Sequence, residues 1–152
     1  MLFLLFELGT GRYALDASQI SEVLPVVAVR AVPQAPPEVT GVFNFRGTPV
    51  PVVDLNQVTM GRPSTPRLST RIIVSRYVAS DGGTRLLGLI AERVTDTVRR
   101  DPDDFVDSGI NNPDAPYLGR VATTPGGMLQ RLDISRLLTP AVSDMLFAPA
   151  VR

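Results

Sequence analysis

Residues 41–55 read GVFNFRGTPVPVVDL, and they decide the fold class. Apolar side chains alternate with others towards Arg46-Gly47, and a second apolar run then returns to Leu55. A period of two residues indicates β-strands, and a short turn containing glycine is typical of a hairpin. Pro49 and Pro51 have no N–H to donate to a neighbouring strand. We therefore expect the return strand to lie at an edge of its sheet.

Three more pairs of apolar runs flank short turns that contain glycine. With the central pair (39–45 and 48–53), they are residues 3–8 with 12–15, 71–79 with 84–91, and 118–123 with 128–132. The 12 glycines and 14 prolines are spread along all 152 residues, as expected for short strands joined by tight turns. Closing such strands into small barrels removes exposed sheet edges. The pattern predicts a mainly β, barrel-like fold.

Helical spacing is limited to three short stretches. They are residues 17–24, with Ile20, Val23 and Leu24 at i, i+3 and i+4; residues 55–60; and a turn capped by Asp133, which Pro140 ends or restarts. The segments 61–67 and 101–116 lack a strand pattern, and the second carries five Asp and three Pro. We expect both to be exposed loops.

The composition removes most catalytic chemistry. All 15 basic residues are Arg, and the chain has no Lys, His, Cys or Trp. A Ser-His-Asp triad, a thiolate nucleophile, a Schiff-base lysine and a cysteine zinc site are therefore excluded. Fifteen acidic residues balance the charge, which argues against a nucleic-acid-binding protein. We expect a protein without enzymatic activity, cofactor or metal.

The apolar start of the chain is short. Residues 1–6 could not span a bilayer, and they lack the basic leader and cleavage region of a signal peptide. We expect a cytoplasmic protein.

Several stretches together resemble the CheW family of chemotaxis coupling proteins. Residues 2–25, LFLLFELGTGRYALDASQISEVLP, look like the opening strand pair, short helix and EVLP-type segment of that family. Residues 41–47, GVFNFRG, are similar to its GVxNxRG signature, and PVPVVDL follows. Residues 87–90 with 94–96 resemble a later strand pair, and residues 117–119 and 132–138 fall in the expected places. The resemblance extends over nearly the whole chain.

This resemblance implies a fold of two intertwined five-stranded SH3-like β-barrels in one domain, residues 1–147. It also implies a non-catalytic adaptor that couples the cytoplasmic tip of a methyl-accepting chemoreceptor to the regulatory domain of a CheA-like histidine kinase. The protein would then be recruited to membrane-associated receptor arrays. The phrases VPQAP (32–36) and LSTR (68–71) look most like coupling proteins of Wsp-type surface-sensing systems, whose output is cyclic-di-GMP.

The resemblance also implies a receptor-binding groove formed by four residues: Ile20, Glu22, Asn44 and Arg46. Gly41 and Gly47 match positions of structural importance or partner contact, and the residues facing the kinase are not assigned. We hypothesise that Glu22 holds Arg46 by a charge-assisted pair. From spacing alone, Ile20 could equally be a core residue and Arg46 a solvated charge. Arg71 and Thr97 replace residues that are often apolar in the family, which predicts a more polar groove.

Two alternative functions, an aspartic protease and a scaffold for proline-rich peptides, are weighed against the adaptor. Residues 105–109, FVDSG, match the apolar-apolar-Asp-Ser-Gly pattern of aspartic proteases, so Asp107, Ser108 and Gly109 could form half of a retroviral-type dimeric active site. The motif lies in a predicted loop, however, and its usual downstream partner is missing. A scaffold for proline-rich peptides would need a cluster of aromatic residues, and the chain has only nine, none of them Trp.

Overall fold

The computed structural model describes residues 1–147, and in that part of the chain nine strands form two sheets. The strands are β1 (Leu2–Leu8), β2 (Gly11–Asp16), β3 (Ile20–Pro25), β4 (Val39–Phe45), β5 (Thr48–Asp54), β6 (Arg71–Val78), β7 (Thr84–Arg99), β8 (Leu118–Thr124) and β9 (Gly127–Leu132). The helices are α1 (Leu55–Met60) and α2 (Pro140–Leu146). Short 3-10 turns occupy Ala17–Gln19, Pro102–Asp104 and Ile134–Arg136.

The two sheets share β7, and each contains five strands. The first barrel has the order β7-β1-β2-β9-β8, in which β2 and β9 are parallel. The second barrel has the order β3-β6-β7-β5-β4, in which β5 and β7 are parallel. The first half of β7 pairs with β6, and its second half pairs with β1. The prediction of a mainly β fold with two intertwined barrels is confirmed.

Three apolar cores follow from the alternation of side chains along the shared strands. The first-barrel core contains Phe3, Phe105 and Leu129, and the second-barrel core contains Phe43, Val50 and Ile72. A larger central core lies between the barrels and collects the opposite faces of the same strands, from residues such as Phe6, Ile73 and Leu89. Because successive side chains point to opposite faces, β1, β6 and β7 each contribute to two cores.

The predicted helical turn over residues 17–24 was wrong in its second half. Only Ala17–Gln19 form a 3-10 turn, and Ile20–Pro25 continue as strand β3. The β-branched Ile20 and Val23 favour an extended backbone, and antiparallel pairing with β6 satisfies its hydrogen bonds. Tertiary pairing thus overrides a weak helical pattern.

Two strand predictions also need correction. Residues 87–90 and 94–96 do not form a strand pair but belong to the single strand β7, which bulges where Arg93 takes φ +48°. Strand β5 lies at an edge only in its first part, since Val52, Val53 and Asp54 pair with β7. Both prolines precede that stretch, where no second neighbour needs their missing N–H.

The predicted loops and the helix near the C-terminal end follow the sequence closely. Residues 61–67 form an irregular connection, and 101–116 contain one 3-10 turn and a single bridge from Val106 to Val121. Asp133 accepts a hydrogen bond from Ser135 N and so caps the turn Ile134–Arg136. Pro140 then starts α2, at a first-turn position where its missing N–H costs nothing.

Candidate protein-binding site

The β4–β5 hairpin carries the motif GVFNFRG, residues 41–47. Arg46 and Gly47 form its two-residue turn with φ of +52° and +87°, the combination that suits a right-twisted hairpin. Asn44 stands two residues before the turn, and its Oδ1 accepts a hydrogen bond of 2.7 Å from the Gly47 N–H. The asparagine therefore holds the turn in shape, and Gly47 takes the second positive φ of the turn at no steric cost.

Glu22 on β3 and Arg46 at the hairpin tip form an ion pair. Arg46 Nη2 lies 2.8 Å from both carboxylate oxygens of Glu22. The guanidinium also lies over the Phe45 ring, 4.9 Å from its centroid. The Arg46 side chain remains 72% exposed and that of Glu22 31% exposed. The guanidinium is thus oriented by two neighbours while most of its surface stays available to a partner.

The Glu22–Arg46 ion pair connects the two ends of the second-barrel sheet. β3 and β4 stand at opposite ends of the second-barrel order β3-β6-β7-β5-β4. Contact between Glu22 and Arg46 therefore requires the sheet to curl until its two outer strands approach each other. The segment after β3 lies in the same gap, where Arg30 exchanges two backbone hydrogen bonds with Val42 on β4. The candidate site thus lies on the closure of the barrel.

A groove of about 430 Å³ opens beside the ion pair. It is lined by Glu22, Leu24, Val27, Ala28, Phe43, Asn44, Phe45 and Arg46. Three of the four predicted groove residues therefore come together. Ile20 does not line this groove; it is half-buried and packs against the central core.

Gly41 is explained by contacts within the chain. It has φ +151°, and a Cβ at this position would overlap the carbonyl oxygen of Arg30. A side chain would therefore push the segment after β3 away from β4. This gives Gly41 a structural role in the same closure that places the groove.

The two polar departures from the family pattern lie at the junction of the barrels. Arg71 lines a separate groove of about 380 Å³ with Leu4, Val23, Val94 and Asp96. Thr97 is exposed on β7, opposite Leu4 on β1. Arg71 thus belongs to a second groove, distinct from that beside Arg46, and Thr97 lies opposite Leu4, another of its lining residues.

Sequence reasoning did not identify the apolar lining of the groove beside Arg46. The lining is supplied by five apolar residues, none of them a predicted site residue: Leu24, Val27, Ala28, Phe43 and Phe45. Residues 25–33, PVVAVRAVP, offered a signal, since this apolar run between prolines matches neither a helical nor a strand period. An apolar run that fits neither a helix nor a strand indicates a candidate binding surface.

The protease-like motif has a local structural use. Asp107 is exposed, and its Oδ1 accepts a hydrogen bond of 2.8 Å from the Gly109 N–H, while Gly109 takes φ +77°. The motif therefore forms an Asx turn in a surface loop. Within residues 1–147, no three carboxylates gather as metal ligands would, and no helix is long and apolar enough to span a membrane.

Comparison with known proteins finds one family over most of the chain. Residues 2–141 match the family model described as a CheW-like domain. The chain is 27% identical to the chemotaxis protein CheW of Treponema pallidum over 139 residues, which cover 88% of this chain and 79% of that protein. It is 28% identical to CheW of Klebsiella aerogenes and of Helicobacter pylori, over 63% and 64% of this chain and 55% and 56% of those proteins.

A solved structure shows the same fold. The crystal structure of the scaffolding protein TtCheW from Thermoanaerobacter tengcongensis superposes with a TM-score of 0.79. The alignment covers 91% of this chain and 87% of that one, at 23% sequence identity.

Proposed function

The chain belongs to the family of CheW-like domains, and we propose that it is the adaptor that couples the cytoplasmic tip of a methyl-accepting chemoreceptor to the regulatory domain of a CheA-like histidine kinase. The protein acts in chemosensory signalling and has no catalytic activity of its own. The match of residues 2–141 to the family model carries this conclusion. The absence of Lys, His and Cys from the chain agrees with it.

The receptor contact is proposed to lie at the tip of the β4–β5 hairpin. Arg46 offers a planar set of donors that fits a receptor carboxylate or carbonyl group, and Glu22 keeps that set in place. Asn44 and Gly47 fix the turn that presents it. The predicted contribution of Ile20 is indirect, through the packing of β3 on the central core.

The adaptor would work at receptor arrays on the cytoplasmic face of the membrane, held there by its partners. The Wsp-type character of residues 32–36 and 68–71 stays a prediction about which system it serves. Deletion of the gene should then change cyclic-di-GMP levels on surface contact, whereas a loss of swimming or twitching bias with unchanged cyclic-di-GMP would contradict the Wsp assignment.

Calorimetric titration tests the proposed function. The protein is titrated first with the regulatory domain of the CheA-like kinase encoded beside it, and then with a receptor-tip fragment. We expect micromolar binding to both, and at least a tenfold loss of receptor affinity for Arg46→Ala, because removing an oriented guanidinium costs on the order of 1.4 kcal/mol or more. The exposed Arg120→Ala serves as the matched control. Binding to neither partner by the folded protein would contradict the proposal.

A further inference from the structure

We propose that residues 24–30, LPVVAVR, form the apolar half of the receptor-binding surface and accept the apolar face of an amphipathic helix that carries a carboxylate opposite Arg30. This stretch is called the valine strip below. The inference rests on the proposed function, and it assigns the chemistry of the partner to residues that the family motif does not contain.

The valine strip exposes apolar side chains to solvent. Val26 and Val27 are 48% and 43% exposed, although they lie between the end of β3 and the Arg30–Val42 bridge. Leu24 and Val29, by contrast, pack partly against the second-barrel core and anchor the strip. Single exposed valines are ordinary, but a run of them beside a groove is typical of a protein-binding surface.

Two grooves follow the strip, one beside its first half and one beside its second half, and both are lined by Ala28 near its centre. One is the groove of about 430 Å³ beside Arg46, and the other, of about 500 Å³, reaches Arg30 and Pro49. Both are lined by Ala28, Phe43 and Asn44, and because Phe43 is buried, the exposed side chains of Ala28 and Asn44 form the ridge that separates them. A helix laid across this ridge can place side chains at i and i+4 into the two grooves, as in other helix-in-groove complexes.

The charges on this surface select the partner. Glu22 compensates Arg46, whereas Arg30 is exposed and has no carboxylate within ion-pair distance among residues 1–147. A partner helix that docks here therefore buries a cation unless it supplies an acidic group. A carboxylate on the helix would form a charge-assisted hydrogen bond with the Arg30 guanidinium and complete the site.

Three variants and three controls test the proposal by titration of the full chain with the receptor-tip fragment and, separately, with the kinase regulatory domain. Val27→Asp introduces a charge on the strip, and Val78→Asp does the same at a valine that is 57% exposed on β6. Ala28→Leu raises the ridge between the grooves, with the exposed Ala141→Leu on α2 as control. Arg30→Glu reverses the unpaired charge, and the exposed Arg120→Glu is its counterpart on β8.

We expect each strip variant to lose receptor affinity at least tenfold, roughly the loss at a central interface residue, with kinase binding and thermal midpoint unchanged. The three controls should bind both partners as the wild type does. If the strip variants lost kinase binding instead, the strip would be a kinase-binding surface and the proposal would be overturned. Sedimentation would reveal a dimer that Val27→Asp dissolves, if a second copy were the occupant, and this too would overturn it.

The results also distinguish a failure of the strip proposal from a failure of the proposed adaptor function on which it rests. Unchanged receptor affinity in all three strip variants, together with a loss in Arg46→Ala, would refute the strip and keep the adaptor. A wild-type protein that binds neither partner would refute the adaptor itself. Ala28→Leu keeps the test decisive if Val27→Asp lowers stability, since it adds only apolar volume at an exposed position.

Discussion

Glu22 and Arg46 join the outermost strands of the second barrel, so their ion pair serves the closure of the barrel and the candidate site at once. An exposed pair of this kind contributes little to folding, typically ~0–1 kcal/mol. Its larger effect is expected in binding, because Glu22 fixes the direction in which the guanidinium of Arg46 points. The sequence resemblance suggested this pair, and the geometry brings the two groups within hydrogen-bond distance.

A double-mutant cycle tests whether Glu22 orients the guanidinium of Arg46. Glu22→Ala and Arg46→Ala are combined, and receptor affinity is determined for all four proteins. We expect a coupling energy above ~0.5 kcal/mol, since Arg46 loses part of its value once its orienting partner is removed. Arg85 with Asp81, an exposed pair far along the chain, is the matched control and should show no coupling in receptor affinity. Strictly additive effects for Glu22 and Arg46 would contradict the orienting role.

Two glycines allow the cost of a positive φ to be compared with the cost of steric overlap, both measured as a loss of free energy of unfolding. Gly41→Ala should lower the free energy of unfolding by about 3 kcal/mol or more, because the new Cβ meets the Arg30 carbonyl as well as an unfavourable φ. Gly61→Ala should cost only about 1 kcal/mol, since Gly61 has φ +71° but open space around it. Urea unfolding of both variants makes the comparison, and equal losses would contradict the role given to Gly41.

Helix α1 and the loop after it depend on one buried carboxylate. Asp54 accepts hydrogen bonds from Asn56 N, Ser64 N and Ser64 Oγ, so the same side chain caps α1 and ties the loop back to β5. Glu92 extends this contact, since it accepts from Asn56 Nδ2 and from Thr65 N. Asp54 therefore orders a connection whose sequence, GRPSTPR, has little apolar surface of its own.

Asp54→Ala should lower the free energy of unfolding by about 2–4 kcal/mol, because buried donors lose a charged acceptor. Asp133 caps an exposed 3-10 turn with a similar geometry, and Asp133→Ala should cost only about 1 kcal/mol. Limited trypsin digestion provides a second readout. Cleavage after Arg67, next to the fully exposed Leu68, should accelerate in Asp54→Ala and not in Asp133→Ala. Equal cleavage rates would show that Asp54 does not anchor the loop.

Secondary-structure elements could be predicted from the sequence where the local apolar pattern agrees with the strand pairing in the fold. The four hairpins have alternating apolar residues around glycine-containing turns, and all four were placed within a few residues. Strand β3 was misjudged because Ile20, Val23 and Leu24 also fit a helical spacing, and only the partner β6 decides between the two. The end of β7 was missed because Glu92 and Arg93 interrupt the apolar run at the bulge, where the strand passes from one barrel to the other.

At the scale of the whole molecule, the shared strand decides how the barrels depend on each other. β7 pairs with β6 and β5 in the second barrel and with β1 in the first. The central core collects residues from strands of both barrels, including Phe6 on β1 and Ile73 on β6. Neither barrel could lose β7 without exposing this core. We propose that residues 1–147 therefore fold as one cooperative domain rather than as two independent units.

Cavities placed in the two outer cores test this cooperativity. Ile72→Ala opens the second-barrel core and Leu129→Ala the first-barrel core, both at fully buried positions. Each should lower the free energy of unfolding by about 2–5 kcal/mol. If the domain is cooperative, urea unfolding keeps a single transition, and amide exchange in β6 and in β9 accelerates to the same extent in either variant. A loss of protection confined to β8 and β9 in Leu129→Ala would instead show that the first barrel unfolds alone, and that β7 links the barrels without coupling their stability.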